Sequence, residues 1–123
     1  MMSPRPAPLV HARKAEDVTL ATVLTPDLNE ANVEDLGEEL FRLVEGVARP
    51  RLRLDLAQVR FLTSTVLGKL VALHKRVRAA GGELVLLNVT GYVYEVFELT
   101  RLHQFLDVRR PGPDDSPPLF VAS

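Results

Sequence analysis

Leu52-Arg53-Leu54-Asp55-Leu56-Ala57-Gln58-Val59-Arg60-Phe61-Leu62-Thr63-Ser64-Thr65-Val66-Leu67-Gly68 changes its hydrophobic period part-way along. Leu52, Leu54 and Leu56 alternate with Arg53 and Asp55, the spacing of a strand that buries one face and turns its charged pair away from the helices. Beyond the hydroxyl cluster Thr63-Ser64-Thr65, apolar positions return at helical steps: Leu67, Leu70, Val71, His74 and Val77. That helix should stop at Gly81-Gly82, residues that tolerate the left-handed conformation of a helix end. The next run, Glu83-Leu84-Val85-Leu86-Leu87-Asn88-Val89, is apolar enough for a strand covered on both sides or close to the sheet edge. A parallel strand-helix-strand crossover follows, with three hydroxyls at the point where the strand region gives way to the helix.

Working outward, Leu9 to Arg13 and Val18 to Leu24, joined by the polar Lys14-Ala15-Glu16-Asp17, suggest an opening hairpin. Thr25-Pro26 ends it. Asp27 or Asn29 is placed to cap a first helix, with Glu30 completing a capping box from Asp27. Val33, Leu36, Leu40, Leu43, Val44 and Val47 form the buried stripe of that helix, and Glu34, Asp35, Glu38 and Glu45 leave an acidic face in water. Downstream, Thr90 can cap a third helix carrying Val93, Val96, Phe97 and Leu99, and Phe105 to Val108 supplies a last strand. These elements predict a single α/β domain over residues 9–110, a mixed sheet of four to five strands with helices packed mainly on one face. Residues 1–8 and the Pro-rich 111–123 are expected to be flexible tails.

Composition removes several function classes. The 123 residues suffice for one hydrophobic core. Fifteen Lys plus Arg against sixteen Asp plus Glu leave a net charge of -1, with no basic excess for direct nucleic-acid binding. The absence of Cys excludes disulfides and thiolate chemistry and fits a cytoplasmic setting. No run resembles a signal peptide or is long enough for membrane insertion. His11, His74 and His103 are scattered, and no carboxylate-histidine spacing suggests a metal. Gly68-Lys69 is a fragment of a phosphate loop, but Leu70 stands where Ser or Thr is required. The expectation is a non-enzyme without cofactor or metal, and the sequence leaves its oligomeric state open.

Two uses compete for Thr63, Ser64 and Thr65. Capping an exposed backbone N–H is the commoner, and contributes about 1 kcal/mol. The sharper use is phosphorylation: about -1.5 to -2 units of charge at a helix N-terminus is favoured by the helix dipole and can repel an acidic partner. Lys69, Lys75, Arg76 and Arg78 give this helix a basic side, usually just solvated, which could also steer an oppositely charged partner. Tyr92 and Tyr94 are expected at the packing rim of the third helix.

From about Val18 to Val108 the chain resembles the STAS domain, shared by sulfate transporters and bacterial anti-sigma-factor antagonists, with the closer likeness to the stand-alone antagonists. The likeness is carried by Leu54–Gly68, by Ala79-Ala80-Gly81-Gly82-Glu83-Leu84, and by Val96-Phe97-Glu98-Leu99-Thr100-Arg101-Leu102. In antagonists of that family the loop reads Asp-Ser-Ser/Thr-Gly-Leu-Gly, and its second hydroxyl residue is phosphorylated. Thr65 falls on that position, Ser64 on the one before it, and Leu67 and Gly68 on the last two, whereas Thr63 replaces the Asp and Val66 the first Gly. The resemblance implies phosphorylation at Thr65 or Ser64 and partner contacts through Thr63, Ser64, Thr65, Val66, Gly68 and Lys69. It implies as partner a GHKL-type kinase that acts as an anti-sigma factor, released from the antagonist when the loop is phosphorylated. The alternative is a STAS scaffold or interaction module of a larger signalling or lipid-transport complex, without phosphorylation.

Overall fold

The computed structural model describes residues 7–112. Most of the expected tails, 1–8 and 111–123, therefore lies outside the described residues. The opening hairpin forms: β1 (Val10–Ala15) and β2 (Val18–Val23) pair antiparallel, with Glu16 at φ 59° in the tight turn. β3 (Asp27–Leu28) comes next, then helix α1 (Val33–Val44), β4 (Arg51–Asp55), β5 (Phe61–Leu62) and helix α2 (Ser64–Ala79). After these come β6 (Glu83–Leu87), helix α3 (Gly91–Leu99), a 3-10 turn at Leu102–Gln104 and β7 (Asp107–Val108).

β1, β2, β4, β6 and β7 form a five-stranded sheet in that order, parallel throughout except for the β1–β2 pair. The strands β2, β4, β6 and β7 advance in one direction, so right-handed crossovers set all three helices on one side. Register puts Ala21, Leu54 and Leu86 in one row on that side, and all three are buried. Arg53 and Asp55 take the other face and stay half-exposed, as the alternation requires. Leu36, Leu40, Leu70, Leu73 and Phe97 close the core from the helices. A fully buried side chain of this size contributes about 1.5–3 kcal/mol through removal from water, so this layer is the main source of stability.

The first helix differs from expectation. Asp27 and Glu30 make no capping box, because Asp27-Leu28 is extended and pairs parallel with Phe61-Leu62 in a separate two-stranded sheet. Pro26, which has no N–H to give, offers its carbonyl to the N–H groups of Arg60 and Phe61 at 2.8 and 3.1 Å, and Thr63 N–H donates to the Leu28 carbonyl at 3.2 Å. Burial of Leu28 and Leu62 secures the small sheet from beneath. The helix starts only after Asn32. It also ends at Val44, which leaves Val47 outside it and 39% exposed.

At the other end of α2, Gly81 adopts φ 81°, as foreseen for a helix stop. Gly82 is required for a different reason: a Cβ there would lie 1.9 Å from the Pro50 carbonyl oxygen, whose backbone leads into β4. The last strand is shorter than predicted. Phe105 closes the 3-10 turn instead and is 48% exposed, its ring edge-on to His74 at 4.8 Å. On the hairpin side, Glu39 of α1 accepts the N–H groups of Leu9 and Val10 at 2.9–3.1 Å, fastening the start of β1 to the helix layer. A cavity of about 310 Å³ opens where β2 and β4 begin, lined in part by Lys14, Thr19, Leu43, Arg49 and Leu52.

Candidate functional site

The hydroxyl cluster lies at the opposite end of the sheet from that cavity, where β5 runs into α2. Thr63 is the N-cap residue, extended at φ -96° and ψ 169°, and its carbonyl accepts the Leu67 N–H at 3.1 Å. Its side chain makes no capping hydrogen bond. The hydroxyl oxygen of Thr63 is enclosed and without a hydrogen bond of ordinary geometry, although it lies near enough to the Glu30 carboxylate to favour its charge slightly. The capping role expected for this hydroxyl is therefore not realised. Thr63 holds its place through its main chain, which the small sheet fixes.

Ser64 and Thr65 are exposed in the first turn of α2. Free backbone N–H groups and the positive end of the helix dipole meet at such a turn. This helix has no acidic residue in its own first turn. The negative charge comes from Glu30, in the loop before α1, whose carboxylate is held below the ordinary carboxylate range chiefly by a hydrogen bond with the Thr65 side chain. Sequence inspection missed this residue as part of the site: Glu30 was legible only as a capping-box partner for Asp27. No local signal could have linked it to Thr65, because the pairing of β3 with β5 is what brings the two loops together.

The expected contact set divides in the structure. Gly68 is exposed with open space where a side chain would stand, so it leaves the α2 surface flat beside Thr65. Val66, by contrast, is a correction: its side chain is 0% exposed and belongs to the core, because its position in the first turn points under the helix. Lys69 is half-buried. Its ammonium lies 3.6 Å from Glu34 of α1, and its stem lies so close to Gly37 that a Cβ there would sit 2.9 Å from the Lys69 Cδ. Lys69 thus bridges α1 and α2. Arg76, on the expected basic side, is likewise engaged within the fold, over the Phe41 ring at 5.3 Å.

Phe61 and Tyr92 form a second feature that sequence did not single out as a pair. Their rings stack at 5.8 Å with an interplanar angle of 7°, and both are largely exposed. The stack links β5, just ahead of the hydroxyls, to the first turn of α3. Tyr94 fits the expected rim packing more closely, half-buried with the Arg110 guanidinium over its ring at 4.9 Å.

The histidines serve other positions. His74 faces Phe105, and its Nδ1 is buried without a hydrogen bond; burial, then the charge of Arg78, lowers its pKa. His103 Nδ1 lies 3.2 Å from the Phe97 carbonyl oxygen. The cavity at the far end of the sheet is lined by neither of them, nor by Ser64. Among the described residues, no group of three or more His, Asp or Glu side chains is gathered as a metal site, and no helix is long and apolar enough to cross a membrane.

This geometry, three helices on one face of a mixed sheet with an exposed hydroxyl turn at the start of the second, has a family match. The family model for the STAS domain matches residues 10–111. The chain belongs to the STAS domain family. Among curated relatives, an anti-sigma-B factor antagonist of Listeria monocytogenes is 32% identical over 71 residues, 58% of this chain and 60% of that protein. A candidate anti-sigma factor antagonist of Bordetella bronchiseptica, BtrV, is 36% identical over 84 residues, 68% of this chain and 72% of the relative. The solved structure of an anti-sigma-factor antagonist (STAS) domain protein from Planctomyces limnophilus superposes with a TM-score of 0.77 at 22% identity, covering 93% of this chain and 98% of that one. This STAS chain therefore shares its fold over nearly its whole described length, and its match spans about three fifths of the Listeria relative.

Proposed function

We propose that this STAS protein is an anti-sigma-factor antagonist: it docks an anti-sigma factor of the GHKL kinase type, releases the sigma factor held there, and is switched off by phosphorylation at Thr65 or Ser64. The observation that carries this reading is the way α2 begins. Its exposed hydroxyls sit on an accessible turn, and the N-cap side chain is not committed to holding the helix. Two relatives named as antagonists of anti-sigma factors support the class of partner.

Docking would use Ser64, Thr65 and the flat surface at Gly68, with the backbone of Thr63 fixing their position. In the phosphoryl transfer, Thr65 Oγ1 forms a bond to the γ-phosphorus of ATP, the bond to the ADP leaving group breaks, and the hydroxyl proton passes to a base on the kinase. The product carries about -1.5 to -2 units of charge where a neutral hydroxyl stood. The α2 dipole tolerates that charge, whereas an acidic or closely packed partner surface does not. The protein itself then acts as substrate and ligand, not as enzyme, and the partner places it in the cytoplasm.

The test is incubation of the protein with its cognate kinase and ATP, followed by mass spectrometry and a binding measurement. Phosphate on Thr65 or Ser64, with at least tenfold weaker binding of Thr65→Glu, is the expected result. No phosphate on either residue, together with unchanged binding of Thr65→Glu, overturns the switch.

A further inference from the structure

The helix layer covers the large sheet unevenly. Lys14, Thr19 and Leu52 stand in one row across β1, β2 and β4, on the side that the helices occupy. Helix α1 stops at Val44, and Gly46 at φ 73° turns the chain aside, so that Leu52 is buried while Thr19 is half-buried and Lys14 exposed. The gap beside the helix end is the cavity of about 310 Å³, to which Leu43, Val47 and Leu52 give an apolar floor.

Its charges do not balance. Asp17 and Arg51, at one side of the cavity, pair at 3.3 Å, and Arg51 also meets Glu83 at 3.3 Å. By contrast, among the described residues the Lys14 ammonium, the Arg49 guanidinium and the Thr19 hydroxyl line the same cavity with no hydrogen bond or ion pair. Arg49 is also held in an unusual place. At φ 53° it occupies the left-handed region that a long side chain rarely adopts, and its N–H bond to the Ala80 carbonyl at 3.0 Å keeps it there. Gly81 leaves room for its stem, since a Cβ there would lie 3.5 Å from the Arg49 Cγ. The guanidinium is thus carried on a fixed backbone, which lowers the ordering cost of binding.

An apolar hollow alone takes any greasy molecule, and exposed cations alone take any anion. Side by side they select a ligand that has both parts. The volume stands near the lower end of small-molecule pockets, about 300–1,000 Å³, which restricts that ligand to a compact one. We propose that this cavity binds a small organic acid, an apolar body bearing one carboxylate, with the carboxylate between Lys14 and Arg49 and the body against Leu43, Val47 and Leu52. The site lies at the opposite end of the sheet from Ser64 and Thr65, so an occupant leaves the hydroxyl turn uncovered, and the reading of that turn does not enter.

The experiment is an NMR titration of the full chain, following backbone amides, with three probes: benzoate, its uncharged counterpart benzyl alcohol, and inorganic phosphate. Benzoate should give saturable shifts centred on Thr19 and on residues 43–52, and the other two should bind about tenfold more weakly because each lacks one part of the match. Arg49→Asn removes the guanidinium but keeps a residue that tolerates the left-handed backbone, and should weaken benzoate about tenfold. Lys14→Gln, at a more exposed position, should weaken it about two- to fivefold, and added salt should weaken it further. Lys75→Gln, an exposed cation on α2, should leave binding unchanged. Circular dichroism on each variant confirms the fold, and the comparison of the three probes requires no variant. Equal binding of benzyl alcohol and benzoate, equal binding of phosphate and benzoate, shifts centred away from this cavity, or no saturable shift with benzoate would each overturn the site.

Discussion

The starts of α1 and α2 lie side by side at one end of the sheet, yet they are built on different plans. Before α1, Asn29 and Asn32 commit their side chains to backbone groups, and Glu34 and Asp35 complement the dipole from within the first turn. Before α2, Thr63 contributes only main-chain bonds, its hydroxyl is unsatisfied, and the first turn holds no acid of its own. A helix start whose side chains already hold it in place cannot change one of them without loss of structure. The start of α2 is positioned by the main chain of the small sheet, so a change in its side chains leaves that anchorage intact.

The most severe way to break this contrast is to remove the support that the two helix starts share. Leu28→Ala should cost about 2–5 kcal/mol, the range for a fully buried leucine, and loosen both loops together. Urea denaturation measures the first effect and exchange at Thr63 the second; a loss confined to stability, with Thr63 still protected, would contradict a shared anchor. Next in size, Asn32→Ala removes two side-chain bonds to the backbone and should cost about 1–2 kcal/mol in the same assay. A smaller effect is confined to acid. The folded pKa of His74 is lowered, so the native state favours the neutral ring; the stability this provides is complete above the ordinary value of 6.5 and is lost as pH falls from there through the folded value. His74→Gln should flatten that part of the stability profile, and an unaltered slope would assign the dependence to other groups. Smallest of all, Thr63→Val keeps the shape of the side chain and removes an unsatisfied oxygen. Its stability should stay within about 0.5 kcal/mol of the parent or rise slightly. A loss comparable to that of Asn32→Ala would show that the Thr63 hydroxyl caps α2 after all.

Much of this architecture was readable because local pattern and tertiary role coincide. The alternation around Leu52 and Leu54, the apolar run of β6 and the stripe Leu67–Leu70–Val77 each select one secondary structure, and the structure buries those residues accordingly. β3 escaped because two residues cannot establish a period and because Asp27 and Glu30 have the spacing of a capping box. Thr63 was misjudged for a related reason. Its backbone angles suit an N-cap, but whether the hydroxyl reaches the helix depends on the path of the preceding strand, which no local motif records. At the site itself, Ser64, Thr65 and Gly68 were legible as an exposed turn, whereas Val66 follows the helix phase into the core. Glu30 could not be assigned at all before the β3–β5 pairing was known, since its position beside Thr65 is created by a contact between distant segments.

The outermost strand of the large sheet has a bearing on crowding. Among the described residues, no neighbouring strand is bonded along one side of β1, and such a margin is ordinarily a template on which further chains could assemble. Here His11, Arg13 and Lys14 line the margin, every residue after Val10 is open to solvent, and the charged side chains keep another molecule from lying flat against it. Replacing Arg13 and Lys14 with valine should therefore make this margin more prone to edge-to-edge association, which light scattering at rising protein concentration would detect.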